Sequence, residues 1–184
     1  MTKKLTLLMA VIAAVALAAP ALASAAPSIT SSAGVLAPKG TKITGSSTNM
    51  VLQTSVGKIT CAKVTINEEI TENTGSSVKG VGLGEGTTST CKLGEKSITI
   101  TDFTTTFTYV FPSTFHLEVT FTAHLPSLTC HFSGPVGASV TVGGNHITIG
   151  PSADLVGTPA PCEPSLLNGT FSFEQTGGGS IIFD

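Results

Sequence analysis

The chain has no Arg and no Trp, one Tyr, and only 11% charged residues over its 184 positions, less than half the roughly 25% of an ordinary soluble domain. Each shortage excludes something. Without Arg there is no planar fork for bidentate capture of carboxylate or phosphate. With 9 Lys against 11 acidic residues there is no basic face for nucleic acid. Sugar sites use flat aromatic platforms, and the lone Tyr109 lies on the apolar phase of its segment. The hydrolase signatures G-x-S-x-G, H-E-x-x-H and C-x-x-C do not occur. Asp102, Glu118, Asp154, Glu163 and Glu174 are scattered, so no carboxylate pair is singled out for acid–base work, and Ser is too common for one to stand out as a nucleophile. Past residue 26 no apolar run approaches the roughly 20 residues of a membrane helix, and no window of ten residues has helical period.

What is present begins with an address. Lys3 and Lys4 precede a run from Leu5 to Ala19 that is apolar or small apart from Thr6, and Pro20 leads into Ala21-Leu22-Ala23-Ser24-Ala25-Ala26. This is the order of a secretory signal peptide, and the run is shorter than a membrane span. The expected cut follows Ala25, with Ala23 as the second choice; a retained anchor is the alternative. The expected mature chain, residues 26–184, holds 7 Lys and 11 acidic groups, a net charge of −4. Thr (29) and Ser (19) make up about a quarter of the full sequence, so a hydroxyl-rich, weakly acidic surface is expected.

The only cysteines are Cys61, Cys91, Cys130 and Cys162. An even count in an exported chain reads as two disulfides. Three pairings are possible. The similar spacings favour Cys61–Cys91 and Cys130–Cys162, each worth roughly 3–4 kcal/mol in the chain-entropy view. Zinc sites want cysteines two to four residues apart, which these are not.

The Ser/Ala/Pro/Gly-rich residues 26–40 read as a flexible leader, and residues 41–184 as one disulfide-stapled domain; two domains split near residue 96 are the alternative. In residues 58–67 (KITCAKVTIN) Ala62, Val64 and Ile66 share a face, followed by Glu68, Glu69 and Glu72 in an expected polar connection. Gly80, Gly82, Gly84 and Gly86 fall at every second position, a glycine-faced strand or loop rather than a dinucleotide fingerprint. Phe103, Phe107, Tyr109 and Phe111 share a phase opposite Thr104, Thr106 and Thr108. After Pro112-Ser113, six apolar residues from Phe115 to Leu125 alternate with polar ones. Pro126-Ser127 turns the chain into Leu128, Cys130 and Phe132. Gly143-Gly144-Asn145 joins Val140 and Val142 to Ile147 and Ile149 as a hairpin. Phe171 with Phe173, and Ile181 to Phe183, complete the pattern. Many short strands with turn residues between them imply an all-β fold, an antiparallel β-sandwich with a β-barrel as the alternative.

The histidines are His116, His124, His131 and His146. If Leu125 faces Leu128, then His124 faces Thr129, Thr122 faces His131, and the two histidines are diagonal neighbours. His116 is about 26 Å along the strand from His124, so this hairpin does not build a three-ligand metal site, and solvated imidazoles are expected. No cofactor, catalytic or metal residue is assigned. Asn168-Gly169-Thr170 fits a glycosylation sequon and equally a tight turn. Few Lys are available to protect sheet edges, so self-association through edges is a candidate partner mode.

The segments G-T-K-I-T-G (Gly40 to Gly45), G-K-I-T-C (Gly57 to Cys61), S-T-C (Ser89 to Cys91), L-T-C-H-F-S-G (Leu128 to Gly134) and L-N-G-T-F (Leu167 to Phe171) resemble a loose group of exported, four-cysteine β-proteins of high-GC actinobacteria. The resemblance implies export and an all-β fold, and carries no activity or site residue. The resulting expectation is an extracellular or envelope-associated, non-enzymatic protein with a structural or adhesive role toward cell-wall or surface components. A soluble extracellular module for a small apolar or glycan ligand is the alternative, and a secreted hydrolase stands third.

Overall fold

The structure, a computed structural model, describes residues 27–84, 86–110, 114–150 and 154–184. The expected signal peptide with its cut after Ala25 lies outside these residues, as do Glu85, Phe111 and the Pro112-Ser113 break. The described residues form strands and turns only. In chain order the strands are β1 (Ile29–Ser31), β2 (Lys42–Ser47), β3 (Val51–Thr54), β4 (Gly57–Asn73), β5 (Ser77–Gly82), β6 (Thr87–Leu93) and β7 (Lys96–Val110). They continue as β8 (Thr114–Leu125), β9 (Leu128–Val140), β10 (His146–Ile149), β11 (Val156–Thr158), β12 (Pro164–Gln175) and β13 (Ile181–Phe183).

The long central strands form where β-branched and aromatic residues alternate with Thr, the composition that suits a half-buried pleated surface. Phe115, Leu117, Val119, Phe121 and Ala123 point inward from β8, and Cys130, Phe132 and Val136 from β9. Leu125 pairs with Leu128, His124 with Thr129 and Thr122 with His131, the register expected from the Pro126-Ser127 turn. The Val140–Ile147 pairing places the β9–β10 hairpin where Gly143-Gly144-Asn145 indicates it.

The wall closes. Three positions in it are shared by short strands lying end to end: β2 and β3 between β12 and β4, β5 and β6 between β4 and β7, and β10 and β11 along β9. Around the wall the strands keep chain order. β10 pairs with both β9 and β12, and β12 pairs with β2 and β3. The result is a closed eight-stranded antiparallel barrel with a small additional sheet. The all-β antiparallel class therefore holds, with the barrel rather than the sandwich as its architecture. A sandwich leaves edge strands, whereas here the ladders run round to meet. A barrel of this size is just wide enough to be filled by side chains or to hold one small ligand.

The additional sheet closes one end. β1 pairs with β13, and Ile29, Ile181 and Phe183 are buried beneath it. The Phe183 ring meets Phe173 edge-on at 5.8 Å. The Asn73 side chain, at the end of β4, donates to the carbonyls of Ile29 and Ala37, both at 2.8 Å, and accepts from the Ile29 amide at 3.3 Å. Phe183 exchanges backbone hydrogen bonds with Gly143 and Gly144 in the β9–β10 turn. Residues 27–40 are thus not a loose leader. Ile29 has no exposed surface, and its apolar side chain has a closed barrel end to bury against. The opposite end is formed by the turns at residues 54–57, 93–96 and 125–128 and the connection 158–164, with no such cap among the described residues.

Two local readings change. Ala62 faces solvent while Val64 and Ile66 face the core; the inward phase slips between Cys61 and Val64, across from Thr90, whose φ of 44° marks the same irregularity in β6. Glu68, Glu69 and Glu72 are not a connection but lie within β4, which runs 17 residues.

Candidate functional site: a buried carboxyl and an open barrel mouth

Val64, Ile66, Glu68 and Ile70 occupy alternate positions of β4, so the pleat that points the apolar three inward points Glu68 inward too. On β7, Thr105 shares the inward phase of Phe103 and Phe107. These two polar core residues find each other. Between them runs β5, where Gly82 pairs with Glu68. A Cβ at Gly82 would lie 2.7 Å from the Thr105 carbonyl oxygen and 2.8 Å from its nitrogen. The missing side chain leaves a slot through which Thr105 Oγ1 donates to Glu68 Oε1 at 2.6 Å. Gly80 makes room for the Phe107 ring in the same way.

Glu68 is 1% exposed, and its Oε2 has no hydrogen-bond partner among the described residues. Burial pushes its carboxyl up to about 7, against a smaller downward pull from the Thr105 hydroxyl. Thr105 also lines an internal cavity of about 40 Å³ together with Phe103, Phe121, Ile66, Leu117 and Phe171. That space would hold two or three water molecules by size, but its walls are apolar, and such voids stay dry. The Glu68–Thr105 pair is reached by no second carboxyl in the described hydrogen bonds. It is a proton-holding polar pair in a dry wall.

The larger space is at the uncapped end. There a crevice of about 370 Å³ is lined by Val56, Leu93, Lys96, Leu125, Pro126, Ser127, Leu128 and Pro161, within the size range of small-molecule sites, which favour the mouths of β-barrels. Leu93, Leu125 and Leu128 are the last inward-phase residues of their strands and stay half-exposed. Lys96 continues the inward line of Ile98 and Ile100 on β7, pairs with Leu93 and contributes to the crevice lining while staying exposed. Lys96 has no ion-pair partner among the described residues, where the one ion pair is Lys79–Glu72 at 2.8 Å.

The wall near this mouth has an incomplete seam. β11 pairs with β9, and the described ladders include none between β11 and β12. Cys130 of β9 bonds to Cys162 in the connection between β11 and β12, and both are fully buried. The second disulfide joins Cys61 to Cys91, directly opposed on β4 and β6. Both pairings are those favoured by spacing.

The histidines lie on the outer face. Thr101 Oγ1 donates to Asp102 Oδ2 at 2.9 Å, so the 3.1 Å contact between Thr101 and His124 Nε2 has the ring nitrogen donating. His124 Nδ1 lies 3.5 Å from Thr129 Oγ1, and His131 Nδ1 contacts Thr122 at 3.1 Å. Asp102 occupies a bulge of β7 with φ of 55°, a left-handed conformation Asp tolerates. His116 pairs with Thr108 farther along the sheet, and His146 with Ser172 on another wall. Among the described residues no three His, Cys, Asp or Glu side chains cluster to hold a metal. Asn168 pairs with Val51 inside β12, so the Asn-Gly-Thr segment is a strand rather than a turn.

Sequence reasoning missed Glu68, Thr105 and Lys96. The signal for the first two was a polar residue in an otherwise apolar phase. No protein-family model matches the chain, and no curated protein or solved structure matches it either.

Proposed function

We propose that this chain is an exported binding barrel for a small apolar ligand, which it takes at its uncapped end. The observation that carries the reading is the asymmetry of the barrel. One end is covered by β1 and β13 and carries a smaller crevice of about 190 Å³, while the other has no such cover among the described residues and carries a crevice of about 370 Å³ lined mostly by apolar side chains. Lining of this kind suits an apolar ligand better than a glycan, whose hydroxyls would find few partners there. Export is supported by the N-terminal signal pattern and by two disulfides, which persist in oxidising compartments.

A structural or adhesive role on the cell envelope is the second reading. Apart from the seam between β11 and β12, wall closure pairs the ladder edges through which the barrel would otherwise add strands. Such a role would therefore use exposed side chains instead, and Val35, Leu36 and Val142 stand exposed at the capped end.

Titration with Nile red, a neutral apolar dye, tests the leading reading. The expected result is saturable one-to-one fluorescence enhancement, displaced by decanol, lost in Leu128→Glu and kept in Leu36→Glu, with both variants checked for folding by circular dichroism. Enhancement that does not saturate, or that survives Leu128→Glu, would overturn it.

A further inference from the structure

We infer that the mouth selects an amphipathic anion, an apolar chain or ring system carrying one carboxylate or similar acidic head. The apolar part would lie on Leu93, Leu125 and Leu128, and the head would meet the Lys96 ammonium. The inference rests on the reading of the mouth as an apolar-ligand site and specifies what that ligand carries.

Three observations support it. Lys96 sits on an inward phase, where the strand pattern otherwise puts Ile98 and Ile100. It is the one charged group in the crevice lining and has no ion-pair partner among the described residues. An acidic head on a ligand lying across the leucines would come within reach of the exposed Lys96 side chain, and a charge pair formed beside apolar surface is stronger than one in bulk solvent. The chain as a whole is negative, yet the turns at this end and their flanking residues carry Lys58, Lys92 and Lys96 against Glu95 and Glu163. An anion approaching the barrel is therefore repelled least at the mouth. Glu95, next to Lys96 in the turn, is not part of the lining.

The experiment compares decanoate with decanol, both below their aggregation concentrations, by calorimetry or by displacement of Nile red. Decanoate is expected to bind about tenfold more tightly, with a preference that shrinks as salt is raised. Lys96→Met keeps the apolar stem and should abolish the preference while leaving decanol unchanged. Lys92→Met, on the outer phase of β6, should weaken it far less than Lys96→Met does. Equal binding of the two ligands, or a preference untouched by Lys96→Met, overturns the anion inference while leaving the apolar site standing. Equal loss in Lys92→Met also overturns it, because the effect would then be one of overall charge. Saturable binding of neither ligand overturns both this inference and the reading on which it rests.

Discussion

At the scale of single residues the most consequential position is Glu68. Its carboxyl, ordinarily near 4.5, is raised to about 7 by burial. Between those values the folded protein keeps a proton that the unfolded chain has released, so stability is full below about pH 4.5 and falls as pH rises toward 7. At 1.36 kcal/mol per pH unit the loss is about 3 kcal/mol. Glu68→Gln keeps an acceptor for Thr105 and removes the titration. The variant should match the parent near pH 4 and exceed it in melting temperature at pH 8, by on the order of 5–10 °C. Parallel melting curves of parent and variant across that range would contradict this account. Three acids within five residues read as a polar linker because acids so rarely face a core. The alternation of Val64, Ile66 and Ile70 around Glu68 nevertheless placed it inward. Seeing that it is tolerable required Gly82 and Thr105, which reach it only through pairing across three strands.

At the scale of elements, local pattern was a good guide wherever partners are close in sequence. The β8–β9 hairpin followed from Pro126-Ser127 between two alternating runs, and each disulfide joins a pair about 30 residues apart. The capping sheet was illegible because β1 and β13 are separated by nearly the whole chain, and Ile29 on its own does not outweigh a leader-like composition. Asn73 holds this cap through three hydrogen bonds to Ile29 and Ala37. Asn73→Ala should cost about 1–3 kcal/mol by leaving the Ile29 amide and the Ala37 carbonyl without this partner, while the Ile29 carbonyl keeps the Ala37 amide. In hydrogen exchange the amides of Ser28, Ala37 and Asp184 should lose protection, while those of the β8–β9 ladder keep theirs. Uniform loss across the barrel would mean that the cap and wall unfold as one unit.

At the scale of the whole molecule, closure depends on β12 meeting β2 and β3, residues more than a hundred positions away. Period-two patterning is the same for the wall of a barrel and the inner face of a sandwich, so the sequence supported both. Closure also decides what the charge-poor surface means. With the wall ladders paired except at the β11–β12 seam, low charge is compatible with a discrete particle whose binding surface is an end rather than an edge. The central claim is that the uncapped end is the ligand site. The most direct measurement is a backbone amide spectrum of isotope-labelled protein titrated with decanoate. The account expects saturable shifts concentrated at residues 54–57, 93–96, 125–128 and 158–163, with the amides of β1 and β13 unmoved. No saturable shift, or shifts centred on the capped end, would contradict it.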